Sequence, residues 1–123
     1  MFPAQLTDAH INLVLWGLQA ICALIFLITG GLKILSDRNM VYMFDQIGLG
    51  QWYRYLTGAI ELIGAALIVT TTLSGFGALL LLCVALGAVI IHAFILHDSP
   101  AVPVLLLLAL LVVVWGRSGQ VVF

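Results

Sequence analysis

The chain has 123 residues, of which 64% are hydrophobic and 7% charged, with a formal net charge of −1 and a mean hydropathy of +1.28. That length holds one domain, and the near-neutral charge excludes a nucleic-acid surface, which needs clustered Lys and Arg. So apolar a composition leaves too little polar surface for a water-soluble globule, and the chain reads as an integral membrane protein. Cys22 and Cys83 lie within apolar runs and form no C-x-x-C, so neither a disulfide framework nor a zinc site is indicated.

The opening segment MFPAQLTDAH has no basic region and no small-residue cleavage site. The first apolar run, residues 11–35, is therefore expected to stay as a helix rather than be removed as a signal peptide, with Thr7 or Asp8 as its N-cap. Crossing a hydrocarbon core of about 30 Å takes about 20 helical residues, so this run suffices with some tilt. Ser36, Asp37, Arg38 and Asn39 close it. In the connection over residues 36–52, Met40, Val41, Met43, Phe44 and Ile47 form an apolar stripe beside Tyr42, Asp45 and Gln46, ending at Gly48-Leu49-Gly50. That pattern predicts a short interfacial helix over the mouth of the protein.

The second span is expected over residues 54–73, followed by a tight turn at Ser74 and Gly75, and the third over residues 76–96. His97, Asp98, Ser99 and Pro100 break the third run, because Pro biases its predecessor away from the helical region. The fourth run, residues 101–116, is the shortest, and Pro103 is tolerated in its first turn. Short connections predict one all-α domain over residues 1–123, an integral membrane up-down-up-down four-helix bundle. Trp52, Tyr53 and Tyr55 supply an aromatic belt at one face, with Trp16 and Trp115 near the other. Lys33, Arg38 and Arg54 flank the first connection against Arg117 alone, which puts that connection in the cytoplasm and both termini outside.

Lys33, Glu61 and His92 interrupt these apolar runs. A charge at the centre of a membrane helix costs roughly 2.5–3.5 kcal/mol, so a chain that keeps three such groups uses them together. Alternating topology brings the end of the first helix, the start of the second and the end of the third to one face, at depths that agree within roughly 5–10 Å. Their helical phase agrees too. Asn12, Gln19, Cys22, Phe26, Gly30 and Lys33 share one face of the first helix. Thr57, Gly58, Gly64, Ala65 and Thr72 accompany Glu61 on the second, and Ala78, Ala85 and Ala88 accompany His92 on the third. Small residues on these faces let helix backbones approach closely in a membrane.

Each residue also has a plain structural reading. Lys33 can snorkel to the headgroups. Glu61 is too short for that and must be paired with a cation or protonated. A lone His92 is more often a packing residue than a ligand. His97 and Asp98 read as a solvated loop, and histidines five apart make a poor metal pair. Both cysteines read as inert packing. Taken together, Glu61 with Lys33 is expected to form a buried functional network, with no metal and no intrinsic cofactor.

The chain resembles the DoxX-like family of small four-helix bacterial membrane proteins. The matching residues are Gly30-Gly31-Leu32-Lys33, the connection Phe44-Asp45-Gln46-Ile47-Gly48-Leu49, Tyr55, then Gly58-Ala59-Ile60-Glu61-Leu62-Ile63-Gly64, and His92 late in the third run. The resemblance covers residues 18–115. Gly50 departs from it, standing where relatives often carry Pro after Gly-Leu, and the basic N-terminal residues common among relatives are absent. Some relatives look like subunits of thiosulfate:quinone oxidoreductases, and others associate with superoxide-detoxifying and sulfur-transferring enzymes. The related thiol–quinone enzymes depend on a C-x-x-C pair, which this chain lacks.

The resemblance therefore implies an oxidoreductase-associated subunit more than a stand-alone enzyme, in the bacterial plasma membrane as a multi-pass protein. It implies a site for a quinone or other hydrophobic small molecule under the first connection. Lys33, Glu61, His92, Tyr55 and Gly58 would bind it, and Gly30 and Gly64 would be structural. Glu61 or His92 would transfer a proton, with Lys33 holding the carboxylate ionised. Expected partners are the lipid bilayer and other membrane or redox subunits, or further copies of the chain. Two other classes stay open: a small proton-coupled transporter, and a purely structural subunit whose polar cluster fixes helix register. Bound quinone favours the first reading, proton-coupled uptake the second, and co-purification without a ligand the third.

Overall fold

A computed structural model describes residues 9–118; the N-cap expected at Thr7 or Asp8 lies outside them. The described residues are all-helical, in the order α1 (Ala9–Ile34), α2 (Arg38–Ile47), α3 (Gln51–Ile68), α4 (Ser74–Ile90) continued by a π turn (Ile91–Ile95), and α5 (Ala101–Gly116).

The ends of these helices follow from local chemistry. After α1, Ser36 takes a left-handed conformation with φ of 60°. The Asp37 N–H then donates to the Leu32 carbonyl at 3.0 Å and the Ser36 N–H to that of Lys33 at 3.4 Å. This closing turn satisfies two of the carbonyls that a helix leaves open. Asp37 next caps α2, its carboxylate accepting from the Asn39 N–H at 3.1 Å. Gly48 ends α2 at φ of 84°, and Gly50 precedes α3 at φ of 100°. Proline is locked near −65° and cannot occupy that position.

Two boundaries differ from the sequence pattern. α3 stops at Ile68 rather than near residue 73, because the Thr70 hydroxyl donates to the Leu67 carbonyl at 2.6 Å and accepts from the Leu73 N–H at 3.0 Å. That side chain closes a turn in place of helical bonds. Ser74 and Gly75 are accordingly not a turn but the first residues of α4.

α1 packs on α3, α3 on α4, α4 on α5, and α5 back on α1, while α2 rests on α3 and α1. Phe26, Ala65, Ile68, Leu81, Leu110 and Val113 are buried where the four long helices meet. Glycines set the spacing. A Cβ on Gly77 would lie 2.5 Å from the Ile68 backbone nitrogen, and one on Gly64 would lie 2.7 Å from the Leu81 side chain. Outside this core, Leu13, Ile21, Leu24, Leu86, Leu105 and Leu108 are exposed. An apolar girdle of that extent is a surface for lipid. α1 and the 22-residue segment Ser74–Ile95 are long and apolar enough to cross a membrane, and α5 is a shorter apolar helix.

Candidate functional site

Glu61 lies where α1 and α3 cross. A Cβ on Gly30 would stand 3.1 Å from both the Glu61 Cβ and the Gly58 carbonyl oxygen, so bare backbones meet here. The close approach brings Lys33 and Thr29 of α1 against Glu61, whose side chain is only 1% exposed. Glu61 Oε1 accepts from the Thr29 hydroxyl at 2.6 Å. Oε2 lies 2.7 Å from Lys33 Nζ. That second contact is a close buried ion pair, so Lys33 is the partner of Oε2 as Thr29 is of Oε1.

Arg54, 3% exposed, braces the same crossing. Its guanidinium donates to the Lys33 carbonyl, to Ser36 Oγ at 3.0 Å and, through Nε, to Gln51 Oε1 at 2.7 Å. No carboxylate pairs with it among the described residues; the carbonyl end of α1 meets its charge. Tyr55 stacks its ring 4.2 Å from this guanidinium and shares a 3.1 Å hydrogen bond with Ser36.

Beside Glu61 opens a cavity of about 340 Å³. α1 supplies Phe26, Thr29 and Lys33 to its wall, and α3 supplies Tyr53, Thr57 and Glu61. Met40, Met43, Phe44 and Ile47 of α2 cover it, as the apolar stripe of that helix implies. Ala85 and Ala88 of α4 and Val102, Pro103 and Leu106 of α5 complete the apolar side, while His92 and Ser99 bring polar atoms to it.

His92 reaches this wall from the π turn. Its carbonyl accepts from the Asp98 N–H at 2.9 Å, with His97 left-handed at φ of 54° between them. The turn folds Asp98 back so that Oδ1 lies 2.6 Å from His92 Nδ1. Asp98 is thus a partner of His92, not a bystander in a solvated loop. Single π turns inside α-helices are rare and concentrate at functional sites.

Of the residues singled out from sequence, Lys33, Glu61 and His92 line the cavity, and Lys33 and Glu61 touch. Tyr55 and Gly58 do not line it. Tyr55 is 46% exposed and faces Arg54 and Ser36; Tyr53, half a helical turn away in phase, is the tyrosine at the wall. Gly58 is buried in the contact with Gly30, and Gly64 in that with Leu81. Thr29, Tyr53, Ser99 and Asp98 were not read as site residues. Thr29 carried a signal, standing one helical turn before Lys33 on the same side of α1.

A second polar cluster occupies the other end of the protein. Gln19, fully buried, donates to the Ile68 carbonyl at 2.7 Å and accepts from Arg117 Nε at 2.8 Å. Arg117 also donates to Asn12 Oδ1 at 3.0 Å and lies over the Trp16 ring at 5.3 Å. It fastens the end of α5 to α1.

An apolar girdle around a buried ion pair and a partly polar cavity defines a helical membrane protein with an internal polar site. The chain belongs to the DoxX-like family, whose model matches residues 17–116. Comparison with curated proteins gave no match, and comparison with solved structures gave none.

Proposed function

We propose that the protein is a multi-pass component of the bacterial plasma membrane that binds a hydrophobic small molecule, a quinone or lipid-like ring, as an accessory subunit of a membrane redox or sulfur-oxidising system. In this reading α1, α3, α4 and α5 cross the bilayer as an up-down-up-down bundle and α2 lies in the interface. Lys33, Glu61 and His92 act as one polar cluster.

The observation that carries the reading is the cavity of about 340 Å³ with an apolar wall and two ionisable pairs at its edge. Small-molecule sites occupy roughly 300–1,000 Å³ and combine apolar lining with a few placed polar groups. A quinone supplies electron and proton transfer when bound. The residues of this chain would supply the rest: Met40, Met43 and Phe44 cover the cavity, Lys33 offsets the charge of Glu61, and Glu61 and His92 are the groups that would exchange protons with the ligand. Exchange of a cationic substrate at Glu61 fits less well, because Lys33 Nζ already neutralises the carboxylate at 2.7 Å.

Native mass spectrometry with quinone and lipid extraction tests this, on wild type and Glu61→Gln. A stoichiometric small molecule in wild type that the variant loses supports the reading. An empty wild-type protein whose variant is merely less stable reduces the cluster to packing.

A further inference from the structure

The cavity beside Glu61 has a closed end and an open one. Phe26, Phe44, Glu61 and Ala85 line it and are buried. Val102 lines it too yet is 63% exposed, and Ser99 near it is also exposed. The packing of α2 accounts for the difference. That helix covers the cavity with Met40, Met43, Phe44 and Ile47, and it rests on α3 and α1. No such packing joins it to the π turn or to α5, although both line the same space. The mouth therefore lies between α2 and the start of α5.

This mouth faces lipid. Leu105, one turn along α5 from Val102, and Leu108 a turn further are exposed members of the apolar girdle. Val102 stands in the first turn of α5, soon after the exposed His97 and Asp98. The opening thus sits where the girdle meets a polar loop.

Size and charge define what can enter. At about 340 Å³ the cavity is at the small end of ligand pockets, which span roughly 300–1,000 Å³. It has room for a ring with short substituents and leaves a long tail outside. Its ionisable groups are already paired, Lys33 with Glu61 at 2.7 Å and His92 with Asp98 at 2.6 Å. No further charged side chain lines it among the described residues. A charged headgroup would shed its water there without gaining a counter-charge, which is costly.

We infer that the cavity takes the uncharged head of a tailed amphiphile directly from the lipid, through the gap between α2 and the start of α5, and leaves the tail in the bilayer. Val102 is the rim residue that sets passage. Met40 and Met43, half-buried on α2, are unbranched side chains able to re-pack around an entering ring. The inference deepens the ligand reading proposed above and rests on it.

Native mass spectrometry of the full chain released from lipid nanodiscs reads both occupancy and rate. The probes share a decyl tail: decylbenzoquinone, decyl phosphate and decyltrimethylammonium. Wild type is expected to retain decylbenzoquinone stoichiometrically and neither charged probe. A decylbenzoquinone carrying biotin at the far end of its tail should be retained equally. Val102→Phe should slow loading, and loss into excess phosphatidylcholine vesicles, severalfold. Leu108→Phe, on α5 but away from the cavity, should leave both rates at their wild-type values. Both positions are exposed, so neither variant disturbs the core.

Retention of no probe overturns the ligand site and this inference with it. The other adverse outcomes leave the site standing. Equal retention of a charged probe overturns the uncharged head. Exclusion of the biotin-tailed probe puts the tail inside and overturns its place in the lipid. Unchanged rates in Val102→Phe, or equal slowing in Leu108→Phe, overturn the route between α2 and α5.

Discussion

Gly30 and Gly58 meet backbone to backbone where α1 crosses α3, each placed so that a Cβ on it would stand 3.1 Å from the other's carbonyl oxygen. Lys33 lies one turn beyond Gly30 and Glu61 one turn beyond Gly58, so the crossing sets the distance across which the ion pair forms. Neither carbonyl can retreat without moving its helix, since backbone cannot swing aside like a side-chain tip.

Gly58→Ala is therefore expected to cost about 1–3 kcal/mol through overpacking, and to loosen the ion pair at the same time. Gly31→Ala is the control. A Cβ there meets nothing within 4 Å, so the change is neutral or stabilises by up to about 1 kcal/mol through helix propensity. Denaturant titration in mixed micelles, followed by tryptophan fluorescence, separates the two. Equal effects would remove the crossing from the account.

The ion pair itself predicts strong coupling. Lys33→Met strands a carboxyl group that is 1% exposed, and breaking a buried pair by removing one partner costs about 3–5 kcal/mol. Glu61→Gln strands Lys33 less, because the amine lies 14% exposed at a helix end and can snorkel. The double variant should lose much less than the sum of the two. A double-mutant cycle that adds up would mean the two groups do not interact in the bilayer.

Much of this arrangement is legible in the sequence, for reasons that differ by element. The buried face of α1 runs through Gln19, Cys22, Phe26 and Gly30, which share a side at helical spacing. The buried face of α3 runs through Gly58, Glu61, Gly64 and Ala65 for the same reason. α2 shows itself by its apolar stripe and the Gly48 stop. Asp98 was not legible as the partner of His92, because their contact depends on a π turn and on a left-handed His97, and no local pattern encodes either. Arg54 read as a flanking charge. It is buried where its guanidinium reaches the Lys33 carbonyl and the Ser36 hydroxyl at the end of α1, contacts between helices that no local pattern encodes. Tyr53 and Tyr55 sit two residues apart and so face opposite sides, and the start of α3 had to be known before either could be placed at the wall.

Ser36 is a non-glycine residue in a left-handed conformation, at φ of 60°. That backbone costs an ordinary side chain roughly 1–2 kcal/mol, and Ser36 keeps it while its hydroxyl meets both Arg54 and Tyr55. Ser36→Gly relieves the backbone and loses the hydroxyl, so its stability should stay within about 1 kcal/mol of wild type. Ser36→Ala loses the hydroxyl without relief and should fall about 1–2 kcal/mol below wild type. Thermal unfolding of the three proteins in one detergent gives the order directly, and an alanine variant as stable as the glycine variant would contradict it.

At the opposite end, Gln19 is a single buried amide serving two masters, an α3 carbonyl and the Arg117 guanidinium. Gln19→Leu keeps the volume and removes both bonds. The Ile68 carbonyl then lacks its donor, and Arg117 loses the acceptor for Nε while keeping Asn12. A stranded buried polar group costs about 1–3 kcal/mol, so Gln19→Leu should destabilise by that amount. Gln19→Glu behaves differently. Its carboxylate would pair with Arg117 but sets an oxygen against the Ile68 carbonyl in place of the donor, so it also destabilises, and at this buried site the loss should hardly change with salt. Because this cluster lies away from the cavity, ligand affinity measured in Gln19→Leu should match wild type while unfolding shifts. A parallel loss of binding and stability would mean that the two polar ends of the protein are coupled through the helices between them.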